Sequence, residues 1–195
     1  MPRLFTALEI PREAALSLSL LRGGLPGARW IDVENYHVTL RFIGDVEGHV
    51  ADEIVHSLDR VRRSAFSLTL SGVGSFGGRK PHSLWAGIAA SPDLVALQGE
   101  IERICQRLGL PPDPRKFTPH VSLARLKNAA DAEVARWLSM RGNFAAMPFH
   151  VGRFVLMSSR DSVGGGPYIV EAAFPLGPVD HRQAPAVTPL RHSRS

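Results

Sequence analysis

Cysteine is all but absent from this chain of 195 residues, with Cys105 the only one. A lone thiol cannot close an intramolecular disulfide and is no zinc site by itself. Ile101, Ile104 and Leu108 recur around it at helical spacing, which reads Cys105 as a buried core thiol and not a nucleophile. Lysine is scarce as well, limited to Lys80, Lys116 and Lys127, so the 23 basic residues are overwhelmingly arginine. Against 18 acidic residues they leave a formal charge of +5, part of which comes from Arg182, Arg191 and Arg194 near the C-terminus. That excess permits a phosphate ligand without demanding one. No run approaches the roughly 18 uncharged apolar residues that cross a bilayer. Met1-Pro2-Arg3-Leu4-Phe5 reads as the approach to a strand and not as a leader, so a cytoplasmic protein is expected. A phosphate loop and a dinucleotide fingerprint are also missing, because Gly72-Val73-Gly74-Ser75-Phe76-Gly77 runs into Gly78-Arg79-Lys80-Pro81 and not into a helix.

What is present is an ordinary globular balance, 44% hydrophobic and 21% charged, enough apolar material for a core. One domain is expected over residues 1–177. Residues 178–195, with three prolines and no apolar period, read as a disordered tail. Helical spacing marks 12–21, 49–62, 92–108 and 131–138. The third is the best delimited, with Ser91 as N-cap, Pro92 at the first helical position and Gly109 just past the end. Strand-like segments cover 3–8, 36–43, 66–70, 84–88, 117–123, 149–157 and 168–174. Gly77-Gly78 and Gly164-Gly165-Gly166 punctuate the chain as loops. Strict alternation over Phe66-Ser67-Leu68-Thr69-Leu70-Ser71 signals a sheet with one buried face. The fold class is therefore α+β, with mainly antiparallel sheets flanked by helices.

One pattern occurs twice, as His37-Val38-Thr39-Leu40 and His120-Val121-Ser122-Leu123. Chance alone supplies about one His-x-Ser/Thr in such a chain. Two copies with the same valine and leucine, both in strand-like segments and set near half the domain apart, indicate a structural repeat. In an extended strand residues i and i+2 share a face, so His37 projects beside Thr39 and His120 beside Ser122. A pseudo-two-fold between the halves brings the two histidines to opposite sides of one cleft.

Two facing imidazoles suit acid–base chemistry. With an unperturbed pKa near 6.5, one ring can accept a proton at neutral pH while the other donates one. Splitting a phosphodiester needs both, while the Thr39 and Ser122 hydroxyls are placed to bond the non-bridging oxygens. Arg125 and Arg41, just past the two motifs, are candidates for the countercharge. Two histidines without a nearby cluster of Asp, Glu or Cys are too few ligands for a metal, and no cofactor is expected. Phe76 and Trp30 are further candidates for stacking on a base, although an aromatic beside strands is more often part of the core, and Arg160 is a candidate for reaching the cleft from its loop. His82 and His150 read as surface or core fillers.

These residues resemble the 2H phosphoesterase superfamily, and within it the RNA 2',3'-cyclic phosphodiesterases or 2'-5' RNA ligases. The likeness extends over Arg3 to Pro11, Arg29-Trp30, Asn35 to Gly44, Leu84-Trp85-Ala86-Gly87 and Phe117 to Arg125. Ser122 stands where threonine is frequent, which keeps the hydroxyl. The resemblance implies a bilobal pseudo-two-fold fold, two antiparallel sheets lining a central cleft, and opening of an RNA 2',3'-cyclic phosphate to a 2'-phosphomonoester. It implies His120 as proton acceptor, His37 as proton donor and Arg125 as a phosphate contact. The near symmetry of the motifs leaves the acid and base unassigned by the residues themselves. Joining RNA ends through a 2'-5' linkage, hydrolysis of a small cyclic nucleotide, and a non-catalytic RNA-binding module stand as alternatives. The expected partner is an RNA with a 2',3'-cyclic phosphate end or a small nucleotide, and the protein is expected to be a monomer that keeps clear of membranes.

Overall fold

The structure is a computed structural model and describes residues 3–159 and 166–178. The tail beyond residue 178 and Arg160 lie outside the described residues. In chain order the elements are β1 (Arg3–Glu9), α1 (Arg12–Ser19), β2 (Ala28–Trp30), a 3-10 turn (Val33–Asn35), β3 (His37–Asp45), α2 (Gly48–Leu58), β4 (Phe66–Leu68), β5 (Leu70–Phe76), β6 (Ser83–Ile88), α3 (Pro92–Arg107), β7 (His120–Leu126), α4 (Asp131–Arg141), β8 (Phe149–Val151), β9 (Arg153–Ser159) and β10 (Tyr168–Pro175). The expected α+β class holds.

Helix α3 forms where its end signals place it. The Ser91 hydroxyl accepts the Leu94 amide at 3.2 Å, Pro92 opens the helix, and Gly109 follows it at φ +85°. Its Leu94, Leu97, Ile101, Ile104 and Cys105 are all buried. Cys105 is fully covered, and burial pushes its thiol pKa up to about 11, so it stays a neutral core group. None of the four helices is long and apolar enough to cross a membrane, among the described residues.

The strand order is β10-β9-β1-β3-β7-β6-β5, with β2 also on β7, and β4 pairs with β8 in a separate ribbon. Every pairing between these strands is antiparallel. Where two sheets are expected, the eight strands form one continuous sheet whose halves, β10-β9-β1-β3 and β7-β6-β5, meet at one residue pair, Val38↔Val121. Each valine directly follows the histidine of its motif, so the pseudo-two-fold passes between them. The main core fills the helix side of the sheet, with Leu8, Leu18, Val38, Ile54, Leu97, Ile101, Leu123 and Phe154 among its buried members. A small second cluster, Phe5, Ala7, Val155 and Met157 with Tyr168 against it, occupies the opposite side of β1 and β9.

Several boundaries differ from the sequence reading, among them the second motif strand, which runs over His120–Leu126 and not 117–123. The segment 66–70 is two strands, β4 turning to β8 and β5 to β6, and 149–157 is likewise divided at Gly152. β5 runs on through Gly72 and Gly74, because the Trp85 ring of β6 lies over Gly74. A Cβ there would stand 2.2 Å from that ring. The short β2 has no counterpart in the sequence reading, since three residues carry no period.

Candidate active site

Both motif strands carry a bulge at the same place. Along β3 the partners on β1 step from Thr39↔Ala7 to Arg41↔Thr6, and along β7 the partners on β6 step from Ser122↔Trp85 to Ala124↔Leu84. Leu40 and Leu123 are the extra residues. An extra residue reverses the alternation beyond it. His37 and Thr39, or His120 and Ser122, are partly exposed on one face, the next two residues are buried, and the fifth position after the first histidine residue of each motif returns to the surface. In β7 that fifth position is Arg125, and in β3 it is Phe42.

This corrects the reading of Arg41. It is 7% exposed and turned into the interior, where Nε pairs with Glu102 of α3 and the two terminal nitrogens donate to the carbonyls of Phe42 and Pro111. It cannot serve a phosphate in the cleft. Trp30 takes the core role that is commoner for an aromatic beside strands and not the stacking role. It alternates with Arg29 and Ile31, and its ring packs against Trp137 of α4 at 5.9 Å.

His37, Thr39, Ser122 and Arg125 line one cleft of about 600 Å3, together with Asn35, Ser83 and Tyr168. His82, read from sequence as a filler, lines it as well. His120 is not among the lining residues. It stands next to Val121, the partner of Val38, and its charge is felt at His37. On its other side His37, with Asn35 and Tyr168, borders a more apolar cavity of about 500 Å3 that includes Ile10, Leu16, Val33 and Met157.

The two histidines are held alike. His37 Nδ1 donates to the Asn35 carbonyl at 2.9 Å, and His120 Nδ1 donates to the Thr118 carbonyl at 2.6 Å. In both the acceptor is two residues back. A carbonyl only accepts, so Nδ1 carries the proton and Nε2 is the nitrogen free to exchange one. In the neutral ring His37 Nε2 accepts from the Thr39 hydroxyl at 3.0 Å. The rings are also clamped alike. Tyr168 meets His37 edge-on at 5.0 Å and Phe5 lies tilted at 5.1 Å. Phe76 meets His120 edge-on at 5.0 Å and Trp85 lies tilted at 6.0 Å. Phe76 is thus a wall of the second histidine.

Burial lowers the pKa of both rings below the ordinary imidazole value. The backbone acceptors oppose this, while His120 lowers His37 further and Arg115 lowers His120 further. A protonated ring therefore disfavours a second proton on its partner, which suits one base beside one acid. Among the described residues, no three His, Cys, Asp or Glu side chains are grouped to hold a metal ion.

Sequence reasoning missed Asn35 and Tyr168. Asn35 acts through its carbonyl, which no side-chain pattern signals, and Gly166 packs so closely on its side chain that a Cβ would fall within 2.4 Å. Tyr168 arrives from β10, far along the chain.

A model of the 2'-5' RNA ligase superfamily matches residues 21–162. A protein of Aeropyrum pernix named RNA 2',3'-cyclic phosphodiesterase is 38% identical over 122 residues, 62% of this chain and 69% of that one. One of the same name from Thermotoga maritima is 30% identical over 167 residues, 80% of this chain and 86% of that one. Among solved structures, Escherichia coli LigT complexed with 3'-AMP is similar with a TM-score of 0.77 at 25% identity, covering 90% of this chain and 99% of that one.

Proposed function

The chain belongs to the 2'-5' RNA ligase superfamily, and from that premise we propose that it is an RNA 2',3'-cyclic phosphodiesterase that opens a terminal cyclic phosphate to a 2'-phosphomonoester. The observation that carries this reading is the matched pair of histidines, each with Nδ1 tied to a carbonyl two residues back and Nε2 left to move protons.

In this reading His120 Nε2 takes a proton from water as its oxygen attacks phosphorus. His37, protonated, gives its proton to the departing 3' oxygen. The Thr39 and Ser122 hydroxyls donate to the non-bridging oxygens, and Arg125 offsets the charge that gathers on them. After one turnover His120 holds the proton and His37 lacks it, and exchange with water restores the starting pair.

The test is an oligoribonucleotide ending in a 2',3'-cyclic phosphate, incubated with the purified protein in excess chelator, with the product end identified. Turnover to a 2'-phosphate is the expected result. A 3'-phosphate would reverse the polarity assigned to the two histidines, and a strict need for added divalent metal would overturn the mechanism.

The pH dependence follows from the same groups. Activity needs one neutral and one protonated ring, so kcat/KM falls below the lower pKa as the base is protonated and above the higher one as the acid is lost. Burial depresses both values. The bell measured as kcat/KM is therefore expected to centre on the acid side of the free imidazole value of about 6.5. A centre on the alkaline side would contradict the assignment of the two histidines as the titrating pair.

A further inference from the structure

Three segments converge at the outer end of the second motif strand. Residues 25–31, 77–84 and 122–130 contain Arg29, Arg79, Lys80, Arg125 and Lys127 and no aspartate or glutamate. The pairing joins them side by side. Arg125 lies opposite Arg29 of β2 on one side and opposite Ser83 of β6 on the other. The Leu126 amide donates to the His82 carbonyl at 2.8 Å, and the Lys127 amide to the Gly27 carbonyl at 2.9 Å. Five cations thus gather on one edge of a molecule whose whole excess is +5.

Arg29 shares its strand face with Ile31, which lines the cleft. Its register partner Arg125 lines the cleft too. Arg29, Arg79, Lys80 and Lys127 are exposed and make no ion pair with any described residue. The opposite side of His37 is different in kind. Its cavity carries Glu9 and Glu34 among apolar walls, with Arg12 as its one fixed cation among the described residues.

We infer that this basic edge binds the sugar-phosphate backbone of a single-stranded RNA, upstream of the terminal phosphate. Arg29 takes the penultimate phosphate and Lys127, with the turn bearing Arg79 and Lys80, takes those beyond it. The inference rests on the proposed phosphodiesterase reading and makes the preferred substrate an oligonucleotide rather than a mononucleotide. Backbone contacts of this kind carry no sequence preference and weaken with salt.

The experiment compares kcat/KM for a tetranucleotide with a 2',3'-cyclic phosphate end and for a mononucleoside 2',3'-cyclic phosphate, across a KCl series. The wild-type protein is expected to favour the tetranucleotide, with the advantage shrinking as salt rises. The double variant R29A/K127A is expected to lose about tenfold on the tetranucleotide and to stay within about twofold on the mononucleotide. R79A/K80A alters only an exposed turn, and is expected to move the ratio in the same direction without disturbing the sheet. Equal losses on both substrates, or a wild-type protein that favours neither, would overturn the inference. Fluorescence polarisation with a labelled oligoribonucleotide ending in a 3'-hydroxyl reads binding without chemistry. If no cyclic phosphate is hydrolysed, the phosphodiesterase reading fails, yet the double variant should still bind this probe about tenfold more weakly. Unchanged binding would refute the basic edge itself.

Discussion

Alanine at His37 or at His120 is expected to lower kcat by on the order of 100-fold or more. On the proposed mechanism each substitution removes one of the two proton transfers that flank a single bond exchange at phosphorus. The loss should fall on kcat, since the proposed phosphate contacts Thr39, Ser122 and Arg125 are left in place. Residues that act as a unit are not additive, so the double variant should be little worse than either single one. Both rings sit between aromatic neighbours and not in the main core, so the fold should survive. His37→Gln and His120→Gln fill more of the space and are expected to be as inactive as the alanine variants. Circular dichroism and a thermal melt establish folding, and steady-state kinetics on a cyclic phosphate read the rest. A folded variant retaining a tenth or more of wild-type turnover would remove that histidine from the mechanism.

The largest expected effect on stability is at Arg41. Its guanidinium joins Glu102 of α3 to β3 and reaches the Pro111 carbonyl, while Glu102 Oε1 accepts from the Asp113 amide at 3.2 Å and from Gln106 at 2.8 Å. Removing one partner of a buried pair leaves the other charged and stranded, at a cost of about 3–5 kcal/mol. A domain of this kind is stable by only about 5–15 kcal/mol. Arg41→Ala is therefore expected to lower the urea midpoint sharply with little change in slope. The double substitution R41M/E102L should recover most of the loss, because apolar residues of similar volume often replace a buried ion pair without penalty. A cost below about 1 kcal/mol, or a double variant no more stable than Arg41→Ala, would show that the pair is not the constraint described.

The sequence exposes the chemistry of this fold better than its topology. The two His-Val-Thr/Ser-Leu motifs are visible because alternation puts a histidine and a hydroxyl on one face within three residues. Helix α3 is visible because its cap, its apolar period and its terminal glycine are all local. Arg41 was misplaced for a physical reason. A bulge is a property of two paired strands, and nothing within Leu40-Arg41 reveals that β1 skips a partner there. The same bulge in β7 delivers Arg125 to the cleft, so simple alternation breaks in both halves. Tyr168 and Gly166 depend on β10 returning beside β9, and the β2 register depends on β7. No short window contains those contacts.

The chain path between the lobes sets how they can move. It leaves the first half-sheet to lay β2 on β7, returns for β3, crosses again through β4 to β5, and comes back through β8 to β9. A clamshell needs a hinge, and a hinge tolerates one or two connections. Here four threads stitch the jaws together, two of them bound to each other in the β4–β8 ribbon. The relative placement of β3 and β7 is set during folding, and on the proposed reading substrate meets its acid and its base on strands already joined at Val38 and Val121. The ordering entropy that a closing enzyme meets at each encounter is met here once, when the polypeptide folds.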